Sequence, residues 1–187
     1  YMPVLLASMR GLRRGEALGL RVSDIDFEKE VAYIRNNYVI VGGKVYNKKV
    51  KTKKSNAVID ISGFIIGEIK RIKEKNEREG RIMQYVCEVD GQLPDPTHLY
   101  RALKNFQIAN GLPVCRFHDL RHTFAMLQLE NGTDLQTLKE LLRHSKIAVT
   151  EIYLHDDMKM KRAASAKMDK ILNLHCDNIV TKSKKSV

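Results

Sequence analysis

The 187-residue sequence predicts a mixed α+β domain, mainly helical, with a small antiparallel three-stranded sheet and a β-hairpin. Three observations carry that prediction. Apolar residues recur at three- and four-residue spacing in the second half, as in Phe117, Leu120, Phe124 and Leu127. Residues 31–61 are instead rich in β-branched and aromatic types, punctuated by glycine. With 43% hydrophobic residues, a chain of this length can bury one core.

Met2 to Leu20 reads as helix, interrupted at Gly11, with Arg13, Arg14 and Glu16 in its second segment. Ser23-Asp24 ends it. Val31 to Val41, Lys44 to Val50 and Ala57 to Ile61 then read as three strands, with Gly42-Gly43 turning between the first two. The stretch KKVKTKK projects as a basic hairpin, most of whose lysines suit backbone phosphates or solvent. Ser62 is placed to cap a helix whose Ile65, Ile66, Ile69 and Ile72 face the core, leaving its charged residues outside. Tyr85 to Val89 reads as a short strand closed by Asp90-Gly91. Asp95-Pro96 opens a helix with Leu99, Leu103 and Phe106 inward and Gly111 at its end. The domain is expected to span residues 1–175, closing with a helix that turns Met168, Ile171 and Leu172 inward; residues 176–187 form a basic, disordered tail.

The formal net charge of +11 favours a polyanion partner, with affinity that falls steeply with salt. No basic amphipathic helix with a bulky aromatic face points to a membrane surface. The three cysteines, Cys87, Cys115 and Cys176, show no C-x-x-C spacing, so neither a disulfide framework nor a zinc knuckle is indicated, and the reducing cytoplasm fits. The apolar run MPVLLASM is too short to cross a membrane. Because the chain begins inside a helix shortly before its first motif, it is expected to belong to a longer protein with further domains before this one.

Polar groups concentrate between Arg116 and Tyr153. His118 and Arg121 are three residues apart, on one helical face at the edge of the stripe formed by Phe117, Leu120, Phe124 and Leu127. Past Gly132, Thr133 and Gln136 fit a capping box, and Leu135, Leu138, Leu141 and Leu142 bury the next helix, which ends at His144. Ser145 can cap a further short segment, and Tyr153 follows His144 by nine residues. Imidazole, guanidinium, imidazole and phenol therefore succeed one another.

H-x-x-R, a histidine in L-x-H-S, and a tyrosine nine residues on resemble the second half of the catalytic domain of the tyrosine recombinase (phage integrase) family. GLRRGE, from Gly11 to Glu16, resembles its first arginine box, with Arg13 at the catalytic position and Glu16 as acidic companion. VKTKKS, from Val50 to Ser55, resembles the hairpin that carries the catalytic lysine, with Lys51 by alignment and Lys53 as the alternative. Three ordered motifs along the chain are specific where one alone is weak.

The resemblance implies a tyrosine recombinase catalytic domain acting on double-stranded DNA without metal or cofactor, most like integrases of mobile elements or phages. Arg13 and Arg121 clamp the phosphate, Tyr153 attacks phosphorus to give a 3′-phosphotyrosyl link, and His118 moves the proton. Lys51 protonates the leaving 5′ oxygen and His144 hydrogen-bonds the phosphate. A homotetramer on DNA, exchange of the helix around Met168 to Leu174 between neighbours, and an excisionase partner belong to the same expectation. Arg14, Lys53, Lys54 and Arg143 are further candidates for DNA contact. Two departures stand out: Arg143 occupies a position where the family usually has glycine, and Asn56-Ala57 replaces a residue that is often basic.

Other classes explain less. His118 and His122 are four apart, as in a zinc helix, but Asp119 is short for the acidic partner, no third ligand is evident, and Arg121 would set a cation beside the metal. A helix-turn-helix from Asp134 to Tyr153 accounts for DNA binding but not for Arg13, the lysine hairpin or the H-x-x-R pair. A topoisomerase of the type that uses a similar residue set fits the order and local context less well.

Overall fold

The computed structural model describes residues 1–41, 44–49, 57–61, 63–144, 146–151 and 153. Helix α1 (Met2–Arg10) has proline in its first turn and stops at Gly11, whose φ of 62° is left-handed. A Cβ on Gly11 would lie 2.7 Å from Cδ1 of Phe124, so the backbone turn and the approach of a later helix both require glycine there. Helix α2 (Arg14–Gly19) follows, and then a 3₁₀ turn (Val22–Asp24). At Gly15 a Cβ would meet the Tyr38 carbonyl oxygen at 2.8 Å, because α2 lies directly on strand backbone.

Among the described residues the strands are β1 (Ile25–Asp26), β2 (Val31–Ile34), β3 (Asn36–Val41), β4 (Lys44–Lys49) and β5 (Ala57–Asp60). They form an antiparallel three-stranded sheet in the order β1-β2-β5 and a separate β3-β4 hairpin. Val31 pairs with Asp60 and Ile34 with Ala57, whereas Asn36 pairs with Lys49 and Val41 with Lys44. The stretch from Val31 to Val41 is therefore two strands in two sheets, not one strand. Buried Asp24 explains the break: its carboxylate accepts from Arg35 at 3.2 Å and from the Asn36 amide at 3.1 Å, pinning the chain where it changes partners.

Helices α3 (Phe64–Arg78), α4 (Pro96–Ala109), α5 (Phe117–Glu130), α6 (Leu135–Leu142) and α7 (Ala148–Glu151) complete the described elements. Gly63 holds the N-cap position of α3, while Ser62, Gly42-Gly43 and Ser145 lie outside the described residues. Ile72 is partly buried against the core, as its helix position predicts. Tyr85 to Val89 is not a strand; it makes two isolated bridges, Arg21 with Tyr85 and Val89 with Gln92. In α4 the inward row runs Leu99, Leu103, Gln107, a strict four-residue step that leaves Phe106 exposed. The α6 cap is Asp134, which accepts from the Gln136 and Thr137 N–H groups at 3.0 Å each in place of a Thr133 capping box. Leu138 and Leu142 are fully buried there and Leu135 partly, but Leu141 is exposed.

Two apolar clusters result. The larger gathers α1, α2, the three-stranded sheet, α3 and α4, and it ends on Phe117 at the start of α5. The smaller joins Phe124, Ala125 and Leu129 of α5 to Leu138, Leu142 and Tyr153. Between Phe117 and Phe124 the buried residue of α5 is Arg121, so the guanidinium sits within the buried row and not at its edge, and Leu127 is exposed. No helix among the described residues is long and apolar enough to cross a membrane.

Candidate active site

Two helices begin in the same way at the seam. Arg13 and Arg116 are the N-cap residues of α2 and α5, and each has an acid three residues on. The Arg13 N–H donates to Glu16 Oε2 at 2.9 Å and its guanidinium to Oε1 at 2.7 Å. Likewise the Arg116 N–H donates to Asp119 Oδ2 at 2.8 Å and its guanidinium to Oδ1 at 2.9 Å. Each acid thus satisfies an end donor of its helix and holds an arginine at the helix mouth. An open cleft of about 420 Å³ lies between them, lined by Arg13, Arg14, Arg116, His118 and Tyr100 over Leu12 and Phe117.

Arg121 stands behind that cleft and is 1% exposed. Its Nη1 donates to the Gly11 carbonyl at 2.5 Å, its Nη2 donates to the Leu142 carbonyl, and Glu16 Oε2 lies 3.9 Å from Nη1. Arg143 approaches the same two acceptors, donating from Nη2 to Glu16 Oε2 at 2.9 Å and to the Gly11 carbonyl at 3.0 Å. Three guanidiniums therefore share one carboxylate. Burial works to raise the Glu16 pKa, but Arg143, the Arg13 N–H and the Arg13 guanidinium outweigh it and hold the carboxyl below its ordinary value. Burial first, then Arg13 and Arg143, lower Arg121 to about 10 against the pull of Glu16 and Tyr153, which leaves it charged at neutral pH.

The other polar groups surround this cluster. His118 lies exposed in the first turn of α5, and burial, then Arg121, lower its pKa, with Arg13 and Arg116 adding to the effect and Asp119 opposing it. His144 follows α6, and its Nδ1 lies 3.0 Å from the hydroxyl of fully buried Thr150. Burial, then Arg121, Arg13 and Arg143, bring His144 down to about 4, so the ring is neutral at pH 7 and able to donate from one nitrogen. Tyr153 is 8% exposed, with its ring parallel to His144 at a centroid distance of 6.4 Å and tilted against His122 at 4.7 Å. Fixed cations, two neutral imidazoles and a phenol are thus grouped at one seam, a set suited to a doubly liganded phosphate and a phenolic nucleophile.

The model of the phage integrase family matches residues 1–160. This chain belongs to the phage integrase family. It is 33% identical over 181 residues to a XerC-like tyrosine recombinase of Caldanaerobacter subterraneus subsp. tengcongensis, covering 86% of this chain and 46% of that protein. A putative prophage phiRv2 integrase of Mycobacterium tuberculosis is 35% identical over 174 residues, covering 90% of this chain and 45% of the other. The chain spans about half the length of these curated relatives. Among solved structures, the Tn1549 transposon integrase in complex with transposon right end DNA superposes with a TM-score of 0.71 at 21% identity, covering 89% of this chain and 57% of that one. XerA recombinase gives 0.65 at 21% identity over 87% and 55%. Both share the mainly helical fold with its small antiparallel sheet.

Five of the residues singled out in this phage integrase sequence, Arg13, Glu16, Arg121, His144 and Tyr153, gather around one buried cluster, and His118 opens onto the cleft beside it. Lys51, Lys53 and Lys54 lie outside the described residues, as does the stretch from Met168 to Leu174 that the sequence expects to be helical. Arg14 lines the cleft. Arg143 is turned inward. Arg116 and Thr150 join the site without having been singled out, and His122, weighed only as half of a zinc pair, packs on Tyr153. Arg116 had a signal, since R-x-x-D there repeats the R-x-x-E of Arg13 and Glu16; Thr150 had none.

Proposed function

We propose that this chain is the catalytic domain of a site-specific DNA recombinase that cleaves and rejoins DNA through a 3′-phosphotyrosyl intermediate, integrating or excising a mobile element. The observation that carries this reading is the sharing of Glu16 among Arg13, Arg121 and Arg143, with His118, His144 and Tyr153 around it. A phosphodiester repels nucleophiles by its own charge, so fixed guanidiniums at its non-bridging oxygens are what metal-free attack needs. Arg121 spends two of its N–H groups on backbone carbonyls and keeps the others for phosphate. Arg13, held by Glu16 at the cleft, supplies the second clamp.

In the reaction the Tyr153 oxygen bonds to phosphorus as the bond from phosphorus to O5′ breaks. The phenolic proton passes to neutral His118, and Lys51, or Lys53 in its place, protonates the departing O5′. With Thr150 donating to Nδ1, His144 carries its proton on Nε2 and donates to a non-bridging oxygen. The reverse attack by a 5′ hydroxyl of a second strand frees Tyr153, and the conserved phosphoester energy makes ATP unnecessary. Double-stranded DNA is the substrate, with Arg14, Lys53 and Lys54 as backbone contacts. Assembly as a tetramer, exchange of the helix around Met168 to Leu174, an excisionase partner and action in the cytoplasm complete the proposal.

A repressor-like helix-turn-helix is less well supported, because Thr150 of α7, in the segment that would enter the major groove, is fully buried. The decisive experiment is covalent trapping on nicked suicide duplexes that span the ends of the element carrying the gene. A protease-sensitive adduct with the native chain, lost in Tyr153→Phe at unchanged DNA affinity, is expected. Tight binding with no adduct, even in a longer protein that adds N-terminal DNA-binding domains to this chain, would leave a DNA-binding module.

A further inference from the structure

We propose that Arg143 is a positioning residue of this site, a resident counter-ion for Glu16 that frees Arg13 to leave the carboxylate for a DNA phosphate. The inference rests on the recombinase reading above.

Arg143 sits at the C-cap of α6 in the left-handed region, with φ 56°. Glycine adopts that conformation without strain, whereas a side chain does not. The guanidinium is also turned inward, 10% exposed, and its Nε is buried with no hydrogen-bond partner among the described residues. Backbone strain and an orphaned donor are two costs that glycine would avoid, so local stability does not explain an arginine here. What it gains is a set of acceptors: Glu16 Oε2 at 2.9 Å, the Gly11 carbonyl at 3.0 Å and the Leu141 carbonyl at 2.8 Å. Glu16 and Gly11 belong to the arginine box, and the Gly11 carbonyl also holds Arg121.

Charge counting shows the consequence. Without Arg143, one carboxylate would serve Arg13 and Arg121, and Arg13 could reach a phosphate only by leaving a largely buried Glu16 with Arg121 at 3.9 Å as its nearest cation. With Arg143 in place, Glu16 keeps a 2.9 Å partner when Arg13 moves to the phosphate, and the three guanidiniums with their one carboxylate, Arg13 included, offer two positive charges in excess. Arg13 is the member able to move, being 43% exposed against 10% for Arg143 and 1% for Arg121.

The test is single-turnover adduct formation on the same nicked duplexes, with DNA affinity and melting temperature measured for each protein. Native chain, Arg143→Gly, Arg143→Lys, Glu16→Gln and the Glu16→Gln/Arg143→Gly double variant are compared well below the lowest melting point. Arg143→Gly is expected to slow adduct formation on the order of tenfold while DNA affinity stays within about twofold. Arg143→Lys should recover part of that rate, because it restores the charge. Glu16→Gln leaves Arg143 buried without its counter-charge, so the double variant should melt higher and react faster than Glu16→Gln alone. Native rates in Arg143→Gly, or losses in the two single variants that simply add, would overturn the inference. A native chain that forms no adduct would instead overturn the recombinase reading, and the melting comparison would still decide whether Arg143 and Glu16 act as a pair.

Discussion

At His144, burial and three neighbouring guanidiniums act in one direction, and the ring's pKa of about 4 in the fold stands against 6.5 for the ordinary side chain. Between those values the unfolded chain binds a proton that the folded one does not, so stability must rise with pH across the interval. The His144 contribution is complete above about pH 6.5 and is lost as the pH falls toward 4. His118 adds in the same sense, while Glu16, with a carboxyl pKa held below 4.5, loses its contribution only at lower pH. Calorimetric melting from pH 4 to 7 should therefore climb less steeply in His144→Gln than in the native chain; parallel curves would refute the shift. Much of this site was legible at the residue level, because three- and four-residue spacings fix which groups share a helical face. The two inward guanidiniums were not. Arg121 counted as polar and was set at the stripe edge, and only the Gly11 and Leu142 carbonyls, contributed from distant positions, make its burial possible. Arg143 lies past the last turn of α6, where helical periodicity no longer says which way a side chain points.

Among the elements, the junction of α1 and α2 depends on one backbone atom group, and substitution there separates two effects. Gly11 and Gly132 both have positive φ, 62° and 86°, but a Cβ meets Phe124 at 2.7 Å in the first and nothing within 4 Å in the second. Gly132→Ala should cost about 1–2 kcal/mol, the strain of a left-handed alanine. Gly11→Ala should cost that plus roughly 1–3 kcal/mol for displacing a packed ring. Urea denaturation of both variants measures the difference, and equal losses would mean that Phe124 yields freely. The helices were legible from sequence because each carries a long periodic face, and their inward rows were misplaced only where two phases compete, as with Phe106 against Gln107. The strands were less legible. β-Formers from Val31 to Val41 gave no sign that the run divides, since the cause is Asp24, outside it, which accepts from Arg35 and Asn36.

Among the described residues, Arg121 falls on α5 between Phe117 of the larger apolar cluster and Phe124 of the smaller, and the cationic cleft opens over Leu12 and Phe117 of the larger one. The position matters for DNA because phosphate affinity comes from cations held where a backbone can reach them, not from net charge alone. Of the 33 basic side chains, some lie on the surface away from the cleft and already paired, such as Lys73, which bonds Glu77 at 2.5 Å on α3. Arg14 lines the cleft beside Arg13 and lies outside the Glu16 cluster. If the cleft receives the DNA backbone, Arg14→Ala should weaken binding similarly for specific and random duplexes and reduce the slope of log affinity against log salt by about one. Lys73→Ala should leave that slope unchanged, although it removes the same formal charge. Fluorescence anisotropy from low to physiological salt distinguishes the two substitutions. Equal effects would show that affinity follows total charge and that the cleft is not where the backbone lies.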